Sequence, residues 1–345
     1  MRNPFARKAD PAEVTAAAGS ATVAELLGGT APGRVQSVGR MQVLPLLAGD
    51  APTADLGDPR ELAISTDNYG TLRFGNGGPG VALVPCHLAV IVPQAAQDHA
   101  MPRATLVAPG TQLAYTAAMC VQQTQGGLIR SGRHRLAVLP PSLREAASDL
   151  PAAPGYNRLW PAVSAFNASS GSGSVADLIR FLARFATELD QFVAEFELVD
   201  DQIGAVVLLD GQVVGVERAP SHAYWRAMWE PLIRFCYGAE AVRREAAGVP
   251  ADARTRVPLG PVSGGDGADP LALLAAAVRD ADTREQSLAE AAAAEAGART
   301  LLVGVDQRHE DTAVGQVLGD TLVGAYALAG DTPVYASLTA RAAAV

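Results

Sequence analysis

Residues 203–217 read IGAVVLLDGQVVGVE, with Asp210 and Gly211 set between two runs of aliphatic, largely β-branched residues. Asp-Gly accepts the positive φ values of a tight type I′ turn, so Ile203–Leu209 and Gln212–Glu217 are expected to pair as a hairpin. Upstream, Leu178, Ile179, Leu182, Phe185, Leu189, Phe192, Val193 and Phe196 recur every three or four residues. That spacing predicts one core helix of about six turns, with Ser174 three residues before Asp177 as its N-cap signature. Downstream, Ser221 can cap a second helix carrying Tyr224, Trp225, Met228, Trp229 and Leu232, which Pro231 bends or divides. Trp225 and Trp229, four apart, read as packing residues on one face rather than a ligand platform.

Working outward, the runs MQVLPLL, GVALVP, HLAVIVP, RATLVAP and RLAVLP between Val35 and Leu139 are short, and Gly, Pro, Asn or Asp separate them. Runs of this length are strands, and a Pro at the close marks a strand end or edge. Beyond the hairpin, an Ala-rich helix is expected from Leu271 to about Ala296, then LLVGV, TLVGAYALAG and TPVYASLTA as further strands. The last two are expected to fold back around Gly330 and Asp331. The fold class is α+β, a mainly antiparallel β-sheet or sandwich with helices packed against it. Residues 1–32, with a thin helical pattern at Val14–Leu27, are expected as a flexible N-terminal arm. Residues 33–150 form a β-rich half, 151–174 a linker, and 175–340 an α+β half packing on the first as one body. A second linker is expected at Val257–Pro270.

The 345 residues carry 27 basic and 36 acidic side chains, a formal charge of −9, and 49% are hydrophobic. A chain of this size and composition folds around a substantial core. Lys8 is its one lysine, so the positive charge is nearly all arginine. The acidic balance argues against nucleic acid as a partner. No run approaches the roughly 18 apolar residues of a membrane span. The N-terminus lacks the apolar core of a secretory signal, so a cytoplasmic location is expected. Cys86, Cys120 and Cys236 form no paired framework, which fits a reducing compartment.

Several residues could carry chemistry. Gly75, Gly77 and Gly80 match G-x-G-x-x-G, but Pro79 and the strand that follows remove the helix needed to hold a pyrophosphate, so a hairpin turn is expected. Cys86 and His87 are zinc-ligand types, yet neighbours on a strand face opposite ways, which favours a buried thiol and a polar-face histidine. Asp306, His309, Glu310 and Asp311 have a metal-like composition, with a solvated acidic turn as the preferred reading. No metal and no cofactor is expected. Cys120 in AAMCVQQTQGG is the best nucleophile candidate, with His99 or His134 as a base supplied by the fold. Filling a sheet interior is the preferred account of it. Arg130, Arg133 and Arg135 around His134 could receive an anion, or form a solvated turn.

Gln97, Asp98 and His99, then LVAPGT, then Met119, Cys120, Val121, Gln122 and Gln123 resemble the motifs of a bacterial domain family. The family is named for its association with ADP-ribosylglycohydrolases and rhodanese/phosphatase-superfamily proteins. The resemblance runs from about Val35 to Ala340 and takes in the Asp-Gly hairpin, the Trp-bearing helix and LVGAYALAGDTPVYASL. Gln122 stands where the family carries Glu, His99 where it carries Arg, and TQGGLI replaces a Gly-Arg-Trp end. An amide cannot take a proton as a tuned carboxylate can, so the resemblance implies the fold more than an activity.

The favoured function is a non-catalytic binding module for a nucleotide or ADP-ribose-related ligand, or for a partner enzyme handling one. Gln97, Asp98, His99, Gln122 and Gln123 are the expected ligand contacts, the amides bonding a polar ligand without charge. Two alternatives stand beside it. One is a hydrolase using Cys120 or a metal. The other is a structural protein that assembles with copies of itself, for which a low charge density leaves room.

Overall fold

In the computed structural model, which describes residues 19–66, 68–91, 98–124, 134–150, 155–250 and 269–342, the Asp-Gly hairpin lies inside a ten-stranded antiparallel sheet. Asp210 and Gly211 have φ of 55° and 75°. They turn Gln202–Leu209 back onto Gln212–Arg218 with Leu209 opposite Gln212. Gln202–Leu209 pairs on its other side with Met41–Leu47, which in turn takes Ala31–Pro32 and Gln36–Val38 along its free side. Gln212–Arg218 pairs with Thr332–Ala340. Then follow Leu322–Ala329, Thr312–Leu318, Thr300–His309 and, at the far edge, Gly19–Thr22.

Every residue of Gln202–Leu209 is buried because helices and small sheets cover both faces. Side chains alternate: Ala205, Val207 and Leu209 enter the larger core, and Val206 and Leu208 enter a second, smaller one. The helices Val23–Leu26 and Pro270–Gly297 close the smaller core. Asp269 caps the long helix by accepting from Leu271 N at 3.0 Å. Gln286 ties it to the sheet, accepting from Val35 N at 2.7 Å and donating to Gly33 O at 3.0 Å. Among the described residues no helix is long and apolar enough to cross a membrane.

The α+β class and its antiparallel character hold, and several details differ from expectation. The first half is not one sheet. Within 33–150 the strands Gln36–Val38 and Met41–Leu47 join the large sheet, and the others form sheets of two, three and four strands. The G-x-G-x-x-G stretch joins two of these small sheets and is not a hairpin, since Leu72–Gly75 and Ala82–Val84 pair with different partners. Asn76 organises that loop, donating to Gly80 O and Val107 O, both at 2.8 Å, and accepting from Gly78 N at 2.9 Å. From Gly19 the N-terminal arm is held by the sheet, with Thr22 and Glu25 forming a capping box at the short helix.

The segment 151–174 contains the helix Trp160–Ser169, whose Val163 and Phe166 are buried. A Pro at its second position suits a helix start, and these two apolar residues, with the buried Asn167, seat it. Next, the expected long helix is two, Leu178–Arg184 and Ala186–Glu195, broken at Phe185. Asp177, not Ser174, caps the first, accepting from Arg180 N at 3.2 Å. The Trp helix, His222–Glu230, widens over Pro231–Gly238 and resumes as Ala239–Ala246. Pro231 has no N–H to give to the preceding turn. Gly238 lets the wide turn close, because a Cβ there would stand 2.7 Å from Ile233 O. The second expected linker falls largely on residues 251–268, outside the described residues.

Candidate functional site

The strands His99–Ala100 and Met119–Cys120 bring the motif residues together, with Cys120 directly opposite His99. Val121 N donates to Asp98 O at 2.9 Å, and Gln122 bridges to Asp177 across the chain. Asp98, His99, Cys120 and Gln122 are all buried, and Gln123 is exposed. His99 Nε2 accepts from Gly70 N at 2.9 Å. The Cys120 thiol donates to Gln122 O at 2.8 Å. Burial pushes that thiol up to about 11, against the pull of its backbone contact. It is therefore a protonated, enclosed thiol at neutral pH, the opposite of an activated nucleophile. Gln97 lies outside the described residues.

Cys86 and His87 occupy a turn and not a strand; His87 has φ 63° and is fully buried, so it is no polar-face histidine. It belongs to a cluster that the sequence does not announce. Arg144, on the helix Pro141–Ser148, donates to Glu217 Oε1 at 2.6 Å, Tyr237 OH at 3.2 Å and Ser337 Oγ at 2.6 Å. Tyr237 OH donates to the same Glu217 oxygen at 2.6 Å. Burial opposes the charge on Arg144 most strongly, but Glu217, Tyr237 and Cys236 together outweigh it and hold the guanidinium well above its ordinary pKa. Burial, then Arg144, drives His87 well below its ordinary value. Arg144 Nε makes a long contact of 3.4 Å to His87 Nδ1, which leaves the imidazole proton on Nε2, facing Ser148 Oγ at 3.4 Å. A cavity of about 20 Å³ beside Cys86, Glu217, Tyr335 and Ser337 has room for about one water molecule and for no substrate. Gly215 makes space for Tyr237, whose hydroxyl would lie 2.0 Å from a Cβ there.

Asp306, of the metal-like group, is bound to Arg103 at 3.2 Å and to Gln316 Nε2 at 2.7 Å. His309 ends a strand, and Glu310, with φ 50°, begins the turn beyond it. Among the described residues no three His, Cys, Asp or Glu side chains gather as a metal would require. His134 and Arg135 line an open groove of about 1110 Å³, which the Trp helix and its wide turn also border. Arg130 and Arg133 lie outside the described residues.

The motif pair, the Asp-Gly hairpin and the Trp helix fall together in one matched region. The ARPP-1 family model, described as the ARG and Rhodanese-Phosphatase-superfamily-associated Protein domain, matches residues 30–315. The chain belongs to this family. The ARPP-1 match ends inside the strand Thr312–Leu318, before the closing hairpin Leu322–Ala340 that completes the sheet. No curated protein and no solved structure matches the chain.

Proposed function

We propose that this ARPP-1 chain is a non-catalytic binding module that recognises a nucleotide or ADP-ribose-related ligand, or an enzyme that handles one. The observation that carries the reading is the fate of Cys120: enclosed by strand pairing and protonated, it has no access to a substrate. The charged cluster supports it too, since Glu217 is spent on Arg144 and Tyr237. Membership in a family associated with other enzymes fits an accessory role.

A thermal-shift titration tests the proposal. ADP-ribose should raise the melting temperature with concentration, by roughly 2.7 kcal/mol of added stability at a hundredfold excess over Kd. The ligand should be recovered unaltered. Flat curves at millimolar ligand would contradict the reading. A hydrolase built on Cys120 has the ladder position of His99 in its favour; it requires turnover that Cys120→Ala abolishes.

A further inference from the structure

We propose that the open groove beside the Trp helix is an anion site that takes a nucleoside pyrophosphate, with phosphoryl groups on Arg135 and Arg226 and the base on an apolar wall. This rests on the binding reading above and gives it a place and a chemistry. The groove is lined by four arginines, Arg60, Arg135, Arg226 and Arg234, against two glutamates, Glu61 and Glu230. Asp58 and Asp190 pair with Arg60 and Arg234 beside the groove, which leaves Arg135 and Arg226 as its guanidinium groups without an ion-pair partner among the described residues.

The four arginines are not equivalent. Arg234 is held by Asp190 at 2.5 Å and Glu230 at 3.0 Å, with its guanidinium 4.7 Å from the Phe235 ring centre, so it builds the wall. Arg60 shares its charge with Asp58 at 3.3 Å. Arg226 is exposed and contacts the His222 Nε2 at 3.0 Å, while Nδ1 of that ring faces Gln202 O at 2.7 Å. No carboxylate pairs with the Arg226 guanidinium among the described residues. Arg135 is exposed at the start of a strand paired to Leu88–Ile91, and has no ion-pair partner among the described residues. Two uncompensated guanidinium forks on rigid elements suit a ligand with two phosphoryl charges.

Size and wall decide the rest of the ligand. A volume of about 1110 Å³ is far more than a bare phosphate needs and lies just above the usual range for small-molecule sites. Val193, Leu198 and Phe235 offer an apolar flank on which a planar base can lie.

Calorimetric titration of the full chain with ADP-ribose, AMP and inorganic pyrophosphate tests the assignment. ADP-ribose should bind tightest, and Arg135→Ala and Arg226→Ala should each weaken it by about tenfold or more without moving the melting temperature of the free protein. Arg279→Ala, on the exposed face of the long helix, should bind as the unaltered chain does. If ADP-ribose binds the unaltered chain and both groove variants equally, the groove assignment is overturned while the binding reading stands. Pyrophosphate binding as tightly as ADP-ribose would overturn the apolar wall. No heat from any of the three probes at millimolar concentration would overturn both readings.

Discussion

Arg144 and Glu217 are both withdrawn from water, and each is the other's counter-ion. Removing one partner strands a buried charge, which is why breaking such a pair costs far more than the pair contributes. Arg144→Met should therefore destabilise the protein by about 3–5 kcal/mol in denaturant titration, and adding Glu217→Gln should recover part of the loss. A neutral cost for Arg144→Met would mean that the ion pair is not enclosed. His87 adds a pH dependence. Its folded pKa is depressed, so below about 6.5 the unfolded chain binds a proton that the folded one refuses. Stability from this group is complete above that pH and is lost as pH falls towards the folded value, by up to about 1.4 kcal/mol per pH unit. His87→Asn, which tolerates the left-handed backbone, should flatten the slope between pH 6.5 and 5; an unchanged slope would assign it to other groups. None of this cluster is legible in the sequence, because its members stand 57 to 193 positions from Arg144. Sequence proximity instead favours Cys120 and its neighbours, which the fold encloses.

Element by element, what is legible is what local chemistry dictates. Asp210-Gly211 names its turn, and Gly330, at φ 59°, opens the turn of the closing hairpin. The break at Phe185 is not legible, since the apolar spacing runs through it unbroken. Packing against Phe166 and neighbouring helices decides it: Phe181 meets Phe166 and Phe185, each at 4.8 Å between ring centres. The division of the first half into small sheets is equally hidden, because strand pairing is non-local. One joint between sheets is made by a side chain. Gln307 Oε1 accepts from Leu106 N and Thr105 Oγ1, both at 2.8 Å, and its Nε2 donates to Leu106 O at 3.0 Å. The amide thus closes the edge of Thr105–Val107 as a neighbouring strand would. Gln307→Leu keeps the bulk and leaves these groups unpaired, and should cost about 1–3 kcal/mol. Faster amide exchange at Leu106 would accompany it; unchanged exchange would show that another group closes that edge.

Across the whole molecule, the larger core draws Leu72, Phe74 and Leu88 from before the Trp160–Ser169 helix and Trp225, Ile233 and Tyr335 from after it. We propose that the halves unfold together, so that tryptophan fluorescence and circular dichroism should report one coincident denaturant transition; two separated transitions would mean independent bodies. That arrangement sets the wide turn Pro231–Gly238 against the strand Arg135–Val138 and so shapes the groove. We propose that this surface receives the ligand while Cys120 stays inert within the sheet. A crystal structure of the full chain grown with ADP-ribose is the most direct measurement. It should show the pyrophosphate against Arg135 and Arg226 and the pairing of His99 with Cys120 undisturbed. Ligand bound beside Gln122, or joined covalently to the Cys120 sulfur, would contradict it.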